Sequence, residues 1–442
     1  MMAARDTGDV RIFTEERDSL TAFLRSNADG SYYVGHACVL VRVNGRKYLF
    51  DPVTQRPLLL DSWLYFPPQI MDRRLLDVDG IFISHFHEDH FDPRFLACID
   101  PRTPVHMCSD RALLADLLRD AGIEPQMIPP KSRFNLHSNV NVYAMPSDYN
   151  RIDSSFLIRG DNFGVYQGND NFISAETLSE GRRVLGDIDH AYVPYAYIWW
   201  YPFCLASIDA KTRSEEGSRL VHKYLNLGLE HARVLDSPVV VPCGGNLVYF
   251  NATDAPINEA IYAPCDFFEY ARTAAPDVAS RMFPIAAGDF VLKENGVNRV
   301  FGDVSTQAKY RARMKTFLET WNAHNPGNVP AAHVLQDADL EFLRKRLAKA
   351  DFAAIDCVIV VEREGAAGAA ISVDLAKRRV ERGVQIEPGR HWVRFELDAR
   401  AFTAWLREEV IFEVVLESAR FAVRRWPEVH EPKVWEVLRL HF

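Results

Sequence analysis

Apolar and polar positions along the chain fall into short runs with periods near 2 and 3.6, so strands and helices are expected in alternation. A hairpin is predicted over residues 31–52. Tyr33-Val34 and Val39-Leu40-Val41 make its first strand, Asn44-Gly45 the tight turn, and Lys47-Tyr48-Leu49-Phe50 the return. The return stops at Asp51-Pro52, because proline offers no ladder donor. Residues 80–84 are almost wholly apolar, as in a strand covered on both faces. Asp92 and Pro93 read as the cap and first position of a helix over 93–99. A strand at 105–107 and a helix capped by Ser109 follow. Further strands are expected at 140–144, 155–158, 163–167, 190–195 and 238–242. Helices are expected near 175–185 and over 214–234. Hairpin-rich sets of strands alternating with helices predict an α/β architecture with two sheets between helices.

After about residue 330 the pattern changes. Residues 339–350 read as a charged amphipathic helix, and 357–364, 370–374 and 392–398 alternate as half-exposed antiparallel strands do. Residues 399–407 form a helix with Phe402, Trp405 and Leu406 inward. The expected organisation is an N-terminal extension over 1–30, a main domain over 31–330 and an α+β domain over 331–442.

The most informative stretch is Ile81-Phe82-Ile83-Ser84-His85-Phe86-His87-Glu88-Asp89-His90. An apolar strand ends there in three histidines and two acids. With His at only 14 of 442 residues, chance does not account for three within six positions. Imidazoles and a carboxylate at this spacing reach around a small volume and can hold one or two borderline metal ions.

Bulk properties narrow the class further. A chain of 442 residues with net charge −9 suits a multidomain protein and does not suit a nucleic-acid partner. No apolar run reaches the length of a membrane span, and residues 1–18 lack a signal-peptide core. Seven cysteines without a C-x-x-C pair fit a reducing cytoplasm. The oligomeric state is not legible.

The residues Gly35-His36-Ala37, Leu49-Phe50-Asp51-Pro52 and Ser84-His85-x-His87-x-Asp89-His90 resemble the successive signatures of the metallo-β-lactamase superfamily, over about residues 30–255. The resemblance implies an αββα sandwich with a metal site at the sheet edges. It also implies that His85 and His87 hold one ion, Asp89 and His90 a second, and Asp170 of Gly168-Asn169-Asp170 bridges them. Two departures stand out. The loop 146–153, where the family has a third histidine, offers Asp148 and Asp153 instead. Where the last histidine would follow the strand 239–242, the chain reads Cys243-Gly244-Gly245-Asn246. Carboxylate in place of imidazole moves the preference from zinc toward iron or manganese.

Residues 49–250 further resemble the metallo-β-lactamase part of the CMP-N-acetylneuraminate hydroxylases, through Asp153, Asn169-Asp170, Pro202-Phe203 and Pro-Cys-Gly-Gly-Asn at 242–246. No paired Cys-x-His motifs precede Gly35, so the resemblance implies electrons from a separate donor. Residues 371–383 and 394–406 resemble sterol-carrier-like modules, which enclose an apolar pocket.

The expected activity is that of a dinuclear non-haem metalloenzyme: a diiron oxygenase hydroxylating or N-oxygenating a small-molecule substrate. Two alternatives are a zinc hydrolase, which would need a compensating imidazole such as His190, and a degenerate metal- or ligand-binding module. The candidate ligands are His85, His87, Asp89, His90, Asp148, Asp153 and Asp170. His36, in a small-residue turn, is expected to orient a ligand or the substrate, and Tyr149 to offer its phenol there. Asp51 is a candidate partner for a ligand histidine, and Cys243 a candidate soft ligand. Seven aromatics between Tyr192 and Phe203 suggest a pocket wall.

Overall fold

The computed structural model describes residues 10–13, 18–54, 57–149, 152–249, 257–258, 261–302, 307–324, 334–350, 352, 355–366, 368–428 and 431–441. The boundary expected at 330–331 lies outside these residues, as do Asn150 and Arg151 of the loop 146–153.

Two sheets form the sandwich. Among the described residues one has nine strands, ordered Val10–Phe13, Val297–Phe301, Phe290–Glu294, Asp29–Gly35, Cys38–Val43, Arg46–Phe50, Gly80–Phe82, Val105–Cys108 and Gln126–Ile128. The other has six, ordered Val239–Cys243, His190–Pro194, Gly164–Gln167, Ser154–Arg159, Val140–Pro146 and Arg133–His137. Strand alternation sorts the side chains. Val39, Val41, Phe50 and Phe82 meet Val142, Phe156, Val165 and Val241 between the sheets. Leu40, Leu49, Ile81 and Ile83 face outward and are covered by Leu20, Phe23, Leu114 and Leu118 from two helices. The far side of the six-stranded sheet is covered by Ala175–Leu185, Ala210–Leu235 and Pro264–Ala274. The result is a metallo-β-lactamase αββα sandwich with an additional C-terminal α+β domain.

Val10–Phe13 pairs in parallel with Val297–Phe301, and helix Ser19–Arg25 buries Leu20 and Phe23 against the sheet. The first hairpin differs from the expected one. Asp29–Gly35 and Cys38–Val43 are two antiparallel strands rather than one, because the chain reverses at Gly35-His36 with φ of 140° and 51°. Periodicity alone could not show that break, since apolar residues continue on both sides. It places His36 at the sheet edge.

The C-terminal domain has a five-stranded sheet ordered Arg379–Arg382, Ala370–Asp374, Val358–Arg363, Trp392–Leu397 and Phe421–Trp426. Helices Asp337–Lys349, Ala399–Leu406, Phe412–Ser418 and Pro432–His441 accompany it. Its core includes Phe395, Phe402, Trp405 and Phe412, and it extends onto Trp200 and Leu205 of the sandwich. Backbone bonds between Cys204 and Val423 and between Ala206 and Val423 seal that junction. The likeness to sterol-carrier modules continues to rest on sequence.

Candidate metal centre

Parallel strands deliver the site. Arg46–Phe50 and Gly80–Phe82 run side by side and release Asp51 and the segment 83–90 at the same edge. Gly164–Gln167 runs parallel to His190–Pro194 and antiparallel to Ser154–Arg159 in the facing sheet, and releases Gly168-Asn169-Asp170. After Ser84 the chain turns tightly, with His90 N and Phe91 N both bonded to His87 O. That turn gathers His85, His87, Asp89 and His90.

Asp51 organises the base of the site. Its carboxylate accepts from Ser84 N at 2.8 Å and Ser84 Oγ at 2.7 Å, and lies 3.0 Å from His90 Nδ1. With Nδ1 engaged by a carboxylate, His90 turns Nε2 toward Asp89 Oδ2 at 3.1 Å and Asp170 Oδ2 at 3.5 Å. His85 Nδ1 is held by Ser84 Oγ at 2.9 Å, and its Nε2 stands 2.9 Å from His87 Nδ1, 3.7 Å from Asp170 Oδ2 and 3.9 Å from Asp153 Oδ1. Asp170 thus spans both histidine sets. An Asx turn aims it, with Asn169 Oδ1 accepting from Asp170 N and Asn171 N. Gly244, at φ 75°, approaches this turn so closely that an added Cβ would lie 2.4 Å from Asn169 O.

His36 Nε2 lies 3.0 Å from Asp89 Oδ2, so His36 joins the Asp89 and His90 group as a possible donor. His85, His87 and Asp170 form a second group. A third was not legible in the sequence: His87 with Glu413 and Glu417 from helix Phe412–Ser418 of the C-terminal domain. Glu417 Oε1 is 2.9 Å from His87 Nδ1, and Glu413 Oε1 is 3.5 Å from His87 Nε2. Arg439 grips the fully buried Glu413, its Nε 2.7 Å from Oε1 and 2.6 Å from Oε2. The one sequence signal for this helix is a pair of glutamates four apart within an otherwise apolar run, Ile411-Phe412-Glu413-Val414-Val415-Leu416-Glu417.

Burial sets the electrostatics. Burial, then the neighbouring His90, pushes His85 down to about 4, which keeps its Nε2 lone pair free near neutrality. Against the cost of burial, His90 and then His36 hold the Asp89 carboxyl well below the usual range. Burial likewise opposes charge on His87 and His90, yet Glu417 and Glu413 raise the first, and Asp89 and Asp170 the second, well above an ordinary histidine. Burial pushes Glu417 up to about 7, against the pull of His87.

The residues fit a metal centre. Donors around one ion with bonds of about 2.0–2.2 Å stand about 3–3.5 Å apart, and the donor pairs here lie 2.9 to 3.9 Å apart. His90 Nε2 lies 3.1 Å from Asp89 Oδ2 yet makes no hydrogen bond, and Asp170 Oδ1 and Glu417 Oε2 are likewise buried and unbonded. These atoms converge on shared volumes rather than on one another.

The remaining sequence candidates separate. Asp153 lines the cavity beside His85, whereas the structure does not bring Asp148 in. The Asp148 carboxylate is taken by Lys131, Ser174 N and Thr177 at the start of helix Ala175–Leu185. Tyr149 is 70% exposed on the outer surface and is not brought to the site. His190 is spent on Ser31 and Asn298 between the sheets, so it does not replace a missing imidazole. The Cys243 thiol donates to His36 O at 3.3 Å, and burial pushes its pKa up, which keeps it protonated.

A cavity of about 330 Å³ opens on the donors and is walled by Trp63, Phe172, Tyr197, Trp199, Tyr224 and Tyr249, with Lys223 also lining it. Of the aromatic segment, Tyr197 and Trp199 therefore line the cavity. Tyr192 and Tyr195 are core, and Trp200 packs on Phe421 and Trp435 of the C-terminal domain.

Residues 32–91 match the family model of the metallo-β-lactamase superfamily. The histidine segment and the strands before it are thus similar to that superfamily, and the αββα sandwich agrees with the fold that the similarity implies. It is 24% identical over 279 residues to a Mycolicibacterium smegmatis protein described as a Rieske 2Fe-2S iron-sulfur protein, covering 58% of this chain and 52% of that one. It is 32% identical over 74 residues to the cytidine monophosphate-N-acetylneuraminic acid hydroxylase of Danio rerio, covering 16% and 12%. The chain thus spans about half or less of the length of these relatives. Among solved structures it is similar to CmlA, a diiron β-hydroxylase from Streptomyces venezuelae, with 22% identity, coverage of 50% and 45%, and a TM-score of 0.37. It is also similar to Igni18, a metallo hydrolase from Ignicoccus hospitalis, with 17% identity, coverage of 60% and 99%, and a TM-score of 0.41.

Proposed function

We propose that this chain is a dinuclear non-haem metalloenzyme, a diiron oxygenase that hydroxylates or N-oxygenates a small metabolite. The observation that carries the reading is the donor set, in which Asp153 and Asp170 stand beside His85 where the family's further imidazoles are absent. A mixed imidazole and carboxylate set suits iron or manganese better than zinc. His85 and His87 would hold one ion and Asp89 and His90 the other, with Asp170 between and His36 beside Asp89. Two bound iron ions would supply the dioxygen chemistry that side chains lack.

The chain's own residues do the rest. Asp51 would fix the His90 tautomer, and Glu413, held by Arg439, faces His87 Nε2 at 3.5 Å. The aromatic walls would accept the apolar body of a substrate beside the donors, with Tyr249 and Tyr197 among the lining residues. Electrons would come from a separate donor protein. Among the described residues no helix is long and apolar enough to cross a membrane.

The test is anaerobic iron loading of the purified chain, with elemental analysis and absorption spectra before and after oxygen. Retained iron and an oxygen-dependent spectral change support the reading. Stoichiometric zinc, no iron and hydrolysis of an ester or phosphodiester would establish the hydrolase instead. Failure to retain any metal would leave a binding module.

A further inference from the structure

We propose that Glu417 is a metal ligand, so that the centre is completed only when the C-terminal domain docks on the sandwich. This rests on the dinuclear reading above and adds a donor that the histidine motif does not contain. Glu417 Oε1 lies 2.9 Å from His87 Nδ1, the same nitrogen that lies 2.9 Å from His85 Nε2. His87 Nδ1 therefore has a donor atom from each domain beside it, and Asp170 Oδ2 lies 3.7 Å from His85 Nε2. The second oxygen of Glu417 is buried and makes no hydrogen bond, and the residue lines the cavity. A carboxylate oxygen shielded from water in this way is costly unless a cation faces it.

The two nitrogens of His87 divide their work. Nε2 faces Glu413 at 3.5 Å, and Glu413 is fully buried and gripped by Arg439. Nε2 makes no hydrogen bond of its own, so a proton carried there would face that fixed carboxylate and leave the Nδ1 lone pair for an ion. Glu413 and Glu417 are one helical turn apart, so a single helix face supplies both the positioning group and the ligand. The sandwich holds the C-terminal domain in place around this helix. Tyr249 Oη donates to Glu417 O at 3.0 Å, Arg420 Nη2 to Asp61 O at 2.9 Å, and Arg400 Nε to Leu60 O at 3.0 Å. The rival account is a plain His87–Glu417 ion pair that involves no metal.

The experiment compares the full-length wild type with Glu417→Gln and Glu417→Ala, each stripped of metal and titrated anaerobically with Fe(II). Bound iron is counted after gel filtration, and affinity is measured by chelator competition. Glu417→Gln keeps the size of the side chain, so it carries the test if Glu417→Ala fails to fold. The expected result is two equivalents in the wild type. In the variants one equivalent should be lost, or held with a Kd raised at least about tenfold. The C-terminal domain of the wild type should also become more resistant to protease when iron is added. Two equivalents at wild-type affinity in the Gln variant would overturn the proposal while leaving the dinuclear reading intact. A wild type that binds no iron overturns both.

Discussion

Replacing Asp51 by asparagine should weaken metal binding without unfolding the site. In the native chain one Asp51 oxygen accepts from Ser84 N at 2.8 Å. The other faces Ser84 Oγ at 2.7 Å and His90 Nδ1 at 3.0 Å. Asparagine can keep its carbonyl toward Ser84 N, but it must then present an amide NH₂ to His90 Nδ1. A donor there makes Nδ1 an acceptor and moves the ring proton to Nε2, the atom that faces Asp89 and Asp170. A protonated Nε2 cannot ligate. Loss of an orienting carboxylate behind a ligand histidine costs about 10–100-fold in metal affinity, or about 1.4–2.7 kcal/mol. The assay is Fe(II) competition with a chromophoric chelator, beside thermal melting of the metal-free proteins. The expected outcome is one weakened equivalent with a small change in melting. An Asp51→Asn protein that binds both equivalents with wild-type affinity would refute the tautomer argument.

Other consequences follow from the same geometry. Arg439→Met should cost about 3 kcal/mol in urea unfolding, the low end for breaking a buried pair, because Arg439 is a quarter exposed while Glu413 is not exposed at all. Adding Glu413→Gln should recover part of that loss, and an additive double variant would argue against the pairing. Burial holds His106, His190 and His231 each down to about 4. The unfolded chain takes up these protons near 6.5 and the folded chain only near 4. Stability should therefore fall as pH drops through that window, by up to about 3 kcal/mol per histidine. His190→Gln should flatten the pH dependence between 5 and 6, and an unchanged slope would count against it. Gly244→Ala should cost more than about 1 kcal/mol, since φ is 75° and the new Cβ would press on Asn169 O. Its metal affinity should fall with it as Asp170 shifts, which chelator competition would show.

What could be read from the sequence was local. The strand Gly80–Phe82 and the candidate ligands after it sit within eleven residues, so spacing alone brings His85, His87, Asp89 and His90 close together. Asp170 was legible only through the resemblance, which implies a bridging carboxylate at Gly168-Asn169-Asp170; the turn by itself could have been turn chemistry alone. The choice between Asp148 and Asp153 was not legible. It depends on Lys131 and the start of helix Ala175–Leu185 claiming one carboxylate, and those partners come from other segments. The role of His36 was half visible. Its turn is set by a positive φ at a residue other than Asn or Gly, which composition does not reveal. Glu413 and Glu417 were invisible for a different reason. They reach His87 across more than 300 positions, through packing of Trp200 and Leu205 on the C-terminal domain that no local pattern encodes. That domain's α+β class, by contrast, was plain from the alternation in Ala370–Asp374 and Trp392–Leu397.

The central claim is a two-ion centre bridged by Asp170, and counting metal tests it most directly. The metal-free chain would be titrated with Fe(II) under anaerobic conditions and its bound iron measured by elemental analysis, alongside Asp170→Ala. The account predicts two ions per wild-type chain and at most one tightly held ion in the variant. A wild type that holds fewer than two, or an Asp170→Ala protein that holds two at wild-type affinity, would contradict it.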